Sequence, residues 1–179
     1  MKGNKTVIFL PLAVMAMLFV FGYISMSGTG GFTNTDLEDN LELSMQPEAP
    51  LQLSWQWGSF PEDGIAGHDY VEIISDSEPE SAALELTHGD ETLYESSSWF
   101  ETEDGFAVAF PTYTDGEQII GALGQVEFGG MDPDVVEEIR YHHTWADAEL
   151  EEDSPDLETE LSDMLPANSW TKQISAEEL

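Results

Sequence analysis

Beyond Gly28 the chain carries 37 Asp and Glu residues against two cations, Arg140 and Lys172, a formal charge of −35 up to Leu179. A compact state of that charge works against its own repulsion. A chain that buries little apolar surface under such a load stays disordered. Any fold must therefore supply a real core and a surface that tolerates like charge. The means are present. All five Trp lie beyond residue 50, the acids are interleaved with apolar residues, and Gly-containing turn signals recur at short intervals. These features predict a folded domain. The Debye length is about 8 Å in physiological salt and about 3 Å at 1 M, so molar salt removes most of the repulsion.

Ahead of the acidic region, VIFLPLAVMAMLFVFGYISM (Val7 to Met26) has no charged residue. A helix of that length spans the roughly 30 Å of bilayer hydrocarbon. Lys2 and Lys5 precede it and only acids follow closely, which places the N-terminus inside and the C-terminal region outside. Two other readings stay open. A cleaved signal peptide has a shorter apolar region, though Ser25 and Ser27 suit a cleavage site. A pilin-type leader is cut after a pair such as Lys2-Gly3.

The organisation expected is a stub over 1–6, a transmembrane helix over 7–27, a linker with a short helix over 28–50, a β-sandwich over 51–145, and an acidic segment over 146–179. The fold class is mainly β: an N-terminal transmembrane helix, then an antiparallel β-sandwich ectodomain with one or two short helices. LQLSWQW (51–57) alternates strictly, with Leu51, Leu53, Trp55 and Trp57 on one face. DYVEIIS (69–75) and AALELTH (82–88) read as strands, with a tight turn at Gly89-Asp90 and ETLYES returning. SWFETEDGFAVAF (98–110) reads as a hairpin whose Phe106, Val108 and Phe110 share a face, and 118–128 follows as another strand.

Three segments are less direct. TDLEDNLELSM (35–45) suits one short helix capped by Thr35 or Asp36. Asp132 and Pro133 start a helix well, yet Ile139, Tyr141, His143 and Trp145 alternate, favouring a closing strand from Glu138. ELEEDSPDLETELSDML (149–165) holds eight carboxylates, but Ser154 and Pro155 can start a helix over 155–165. Its Leu157, Leu161, Met164 and Leu165 form one apolar stripe.

The near-absence of Lys and the dispersed carboxylates resemble extracellular proteins of extremely halophilic archaea or their viruses. That resemblance covers the whole ectodomain and implies a high-salt environment. LELTHGDETL (84–93) is similar to haloarchaeal pilin-type ectodomains in its strand–His–Gly-turn pattern.

Candidate chemistry centres on the histidines. His88 sits beside Gly89, Asp90 and Glu91 at a turn, and His142 with Asp147 can meet across one; these three are the candidate metal ligands. Adjacent His142 and His143 point apart on a strand or a helix. The competing expectation packs His143 with Tyr141 and Trp145 and leaves His142 exposed. Glu101, Glu103 and Asp104, or Asp115 and Glu117, offer loop oxygens for Ca²⁺, but none fits an EF-hand loop. Non-specific cation binding by surface carboxylates is expected, and no cofactor. Without Cys, disulfides, thiolate metal sites and a lipobox are excluded. No G-x-S-x-G, H-E-x-x-H or Walker pattern occurs, and two cations make no nucleic-acid face.

The expectation is a non-enzymatic, membrane-anchored structural or assembly protein of a cell surface or virion. Its partners are the bilayer through 7–27 and proteins or further copies through the ectodomain. Leu37, Leu41 and Leu43, with Leu157, Leu161, Met164 and Leu165, are the candidate assembly surface. A tethered module binding a cation or solute is the alternative, and a pilin-like filament subunit the third.

Overall fold

The computed structural model describes residues 31–114, 118–146, 148, 150 and 156–178. The expected transmembrane segment 7–27 lies outside the described residues. Among the described residues, no helix is long and apolar enough to cross a membrane.

Ten strands form two antiparallel sheets in a sandwich-like arrangement. They are β1 (Leu41–Met45), β2 (Leu51–Trp57), β3 (His68–Ile74), β4 (Ser81–His88), β5 (Glu91–Ser96), β6 (Phe100–Glu101), β7 (Gly105–Pro111), β8 (Leu123–Gly129), β9 (Glu138–Thr144) and β10 (Ser169–Ser175). The first sheet runs β1-β2-β8-β4-β5 and the second β10-β9-β3-β7-β6. Among the described residues, two α-helices flank the sheets: α1 (Asn34–Asn40) and α2 (Leu157–Met164).

Alternation in the sequence becomes the core between the sheets. Leu51, Leu53, Trp55 and Trp57 of β2 and Phe106, Val108 and Phe110 of β7 are all buried. Trp55 stacks on Phe110 with centroids 4.6 Å apart, the offset geometry aromatic pairs favour. Gly124 of β8 pairs with Trp55 across the strands, and a Cβ there would stand 2.2 Å from the indole. Glycine at that position makes the room the ring occupies.

Several expectations need correction at the edges. The segment 35–45 is not one helix. Thr33 caps α1, its Oγ1 accepting from Asp36 N while Asp36 Oδ2 accepts from Thr33 N, a capping box begun two residues earlier than expected. At Leu41 the chain turns extended and pairs with β2 in register Leu43↔Trp55. Nor does the sandwich stop at 51 and 145, because β1 and β10 each add an edge strand. β10 was invisible to alternation because the position between Trp170 and Ile174 on its core-facing side is a lysine.

Residues 132–145 resolve into both expected elements. Asp132 Oδ1 accepts from Asp134 N and Pro133–Val135 make a single 3-10 turn, after which β9 begins at Glu138. β9 is not the closing strand, since it lies between β10 and β3.

The helix expected over 155–165 begins at Leu157. Its cap is Asp156, whose Oδ1 accepts from Thr159 N at 3.0 Å; Ser154 and Pro155 lie outside the described residues. Leu157 and Leu161 join Tyr70, Ala107 and Leu150 in a second apolar cluster. Tyr70 and Ala107 point away from the inter-sheet core, so α2 forms a third layer over the second sheet. This overturns Leu37, Leu41, Leu157 and Leu161 as an assembly surface: all four are buried within the domain itself. Of the expected surface, Met164 is exposed and Leu165 and Leu43 are half-buried.

Candidate functional site

The histidine candidates are not brought together. His88 is exposed at the tip of the β4–β5 hairpin, where Gly89 has φ +62°. His142 lies in β9 of the other sheet, and Asp147 is outside the described residues. Among the described residues, no group of three or more His, Asp or Glu is arranged to hold a metal ion. Glu101, Glu103 and Asp104 line a shallow concavity of about 360 Å³ with other carboxylates. Asp115 and Glu117 lie outside the described residues.

The expectation that His142 is exposed is overturned, for both His142 and His143 are fully buried. Adjacent residues on a strand face opposite ways. His143 enters the inter-sheet core, while His142 faces outward onto the side that α2 covers.

The inner cluster is built on paired strands β3 and β9. His143 Nδ1 lies 2.9 Å from each carboxylate oxygen of Asp69. Asp69 also accepts from Tyr141 Oη at 2.7 Å and Thr144 N at 3.0 Å. Tyr141 Oη in turn accepts from Trp57 Nε1 of the opposite sheet at 3.1 Å. On its other side, His143 Nε2 meets Asn34 Oδ1 at 2.9 Å. The orientation of that amide is assigned by its neighbours: Asn34 Nδ2 donates to Asp63 Oδ1 and Gly64 O, which only accept. Both ring nitrogens of His143 thus face oxygen atoms, Asp69 on one side and Asn34 on the other.

Three indoles surround the ring. Trp57 meets it edge-on at 5.2 Å, Trp145 stacks at 5.6 Å and Trp170 lies at 5.0 Å. Trp170 Nε1 also donates to Asn34 O at 2.7 Å, closing the cluster onto α1. Tyr141 stays neutral here: burial, the Asp69 charge and the hydrogen bond to Asp69 all push its hydroxyl well above its ordinary value, against a smaller opposing pull from Trp57.

The outer cluster uses the next residues of the same strands. His142 Nε2 meets Glu72 Oε2 at 3.1 Å, and its Nδ1 meets Thr171 Oγ1 at 2.9 Å. Arg140 reaches Glu72 at 3.6 Å and donates to Glu138 at 2.6 Å. Burial pushes the Glu72 carboxyl up, but the hydrogen bond from His142 and the nearby Arg140 charge outweigh it and hold the group below its ordinary value.

Chemically, these clusters are cross-links. The nitrogens of His142 and His143 and the carboxylates of Asp69 and Glu72 are engaged by protein groups and lie in the interior. Sequence reasoning missed Asp69, Glu72, Asn34 and Thr171 as their partners. The available signal was DYVEII, a strand with apolar residues on both faces that nonetheless carries an acid on each.

Compared with protein-family models, with curated proteins and with solved structures, the chain has no match in any of the three.

Proposed function

We propose that the chain is a membrane-anchored structural or assembly protein whose acidic sandwich faces a saline exterior, on a halophilic archaeal cell or virion. The observation that carries this reading is where the chemistry-bearing groups are spent. Asp69, Glu72, His142 and His143 tie strand to strand, and the two cations beyond Gly28 serve the same end. Arg140 bridges neighbouring carboxylates, and Lys172 Nζ donates to the carbonyls of Glu38 and Leu41. Carboxylates dominate the outward surface, where they hold water and screening cations. Such a domain is built to stay folded and soluble in concentrated salt. The apolar run Val7 to Met26 supplies the anchor, and Lys2 and Lys5 set its orientation.

The test is fractionation of cells producing the full chain with a C-terminal tag. The tag should sediment with membranes and be removed by protease added outside intact cells or virions. A tag protected from external protease, or recovered in the soluble fraction, would overturn the reading. The tethered binding module is the second reading, favoured by a cleft whose described lining carries no Asp, Glu, Lys or Arg.

A further inference from the structure

That cleft lies where the chain crosses from β5 in the first sheet to β6 in the second. Its volume is about 370 Å³, within the roughly 300–1,000 Å³ usual for small-molecule sites. None of its described lining residues is Asp, Glu, Lys or Arg. On a domain this rich in carboxylates, a concavity without one is distinctive. Tyr94, Trp99 and Phe100 supply aromatic rings on the crossover side. Ser96, Ser97 and Ser98 bring three hydroxyls in succession, and His68 and Tyr70 come from the outward side of β3.

Some polar groups there are already held: Ser96 Oγ accepts from Ser98 N, and Tyr70 Oη from Leu150 N. His68 Nδ1 is buried with no hydrogen-bond partner among the described residues. Ser97 and Ser98 are exposed, so their hydroxyls stand open to a ligand.

We propose that this cleft binds a neutral saccharide. A sugar presents an apolar face of C–H groups and a rim of hydroxyls, matching aromatic rings set among Ser, Tyr and His. An apolar ligand would displace water from the hydroxyls of Ser97 and Ser98 without replacing its hydrogen bonds, which costs affinity. An anionic ligand would enter against the field of the surrounding carboxylates. A cation would find no carboxylate among the described lining residues. The inference gives the binding-module reading its ligand class, and it is independent of how the chain is anchored.

The experiment is calorimetric titration of the full chain, held in detergent and molar KCl, with glucose, galactose, mannose, N-acetylglucosamine and their disaccharides. Glucuronate and indole serve as the charged and the apolar probes. The expected result is saturable millimolar binding of at least one neutral sugar, tighter than glucuronate or indole. Trp99→Ala should weaken it about tenfold, as loss of an aromatic anchor does. Trp99 also packs edge-on against Phe106 at 6.1 Å, so a second variant avoids the core. Ser98→Leu removes a hydroxyl and fills an exposed lining position, and should weaken binding with circular dichroism unchanged. Absence of saturable sugar binding, binding unaffected by Ser98→Leu in the folded variant, or preference for indole would overturn the proposal. Because binding is read in detergent, its failure leaves the anchored structural reading standing, and mislocalisation of the chain leaves the cleft standing.

Discussion

His143 presents Nδ1 to both oxygens of Asp69 at 2.9 Å, with the ring held among Trp57, Trp145 and Trp170. The pair joins neighbouring strands of one sheet, reaches the other sheet through Tyr141 and Trp57, and reaches α1 through Asn34. Asp69→Ala leaves the buried Tyr141 hydroxyl and Thr144 amide without their shared acceptor. It is expected to cost about 1–3 kcal/mol for each, read from denaturant melts in molar salt. A midpoint within error of the parent would show that the pair bears no such load.

Lys172 is spent in an unusual place for a chain with so few cations. Its Nζ donates to Glu38 O and Leu41 O at 2.8 and 2.9 Å, carbonyls at the C-terminal end of α1. Charge-assisted bonds to helix-end carbonyls stabilise both by hydrogen bonding and through the helix dipole. Lys172→Met keeps most of the stem and removes the donor. We expect a loss of about 1–3 kcal/mol, with amide exchange accelerated in α1 before the rest of the domain. Uniform exchange in parent and variant would contradict this.

Acid and alkali should act on opposite faces of β9. The Glu72 carboxyl lies below the ordinary 4.5 in the folded chain. Its stabilisation is present above that value and is lost as pH falls through the lowered folded one. Glu72→Gln should flatten the acid limb of a stability–pH curve. Tyr141 is raised well above the ordinary 10.0. Its contribution is full below that value and is lost as pH rises through the folded one, so Tyr141→Phe should flatten the alkaline limb. Unchanged limbs in both variants would sink the assignment.

The charge of −35 beyond Gly28 predicts that the domain unfolds as salt falls below about 1 M, where the screening length grows. Circular dichroism should show loss of β structure on dilution and recovery on returning salt. A spectrum unchanged down to 0.1 M, roughly a 10 Å Debye length, would defeat this.

Strand existence was legible where one face is wholly apolar, as in Leu51 to Trp57 and Phe106 to Phe110. It was illegible in β10, because Lys172 occupies a core-facing position that only the carbonyl ends of a distant helix make tolerable. His142 was misplaced for the same kind of reason. Its strand was readable, but its exposure depends on what covers the outer face, and that cover is α2, drawn from residues after 156. The acids of DYVEII show the limit most sharply. Alternation assigns Asp69 and Glu72 to opposite faces, and it says nothing of the histidines, Asn34 and Thr171 that make each burial affordable.

By itself the sequence determined the charge the fold must withstand, the two-sided pattern of most strands, the turns between them and the stripe on α2. Those are local properties, set by side-chain spacing within a few residues. Only the tertiary structure decided which strands pair, that β1 and β10 extend the sheets, that the Leu stripes are consumed inside the domain, and that both buried histidines find carboxylates. Those outcomes join residues as far apart as Asn34 and His143, and the satisfaction of a buried polar group depends on partners that no local pattern encodes.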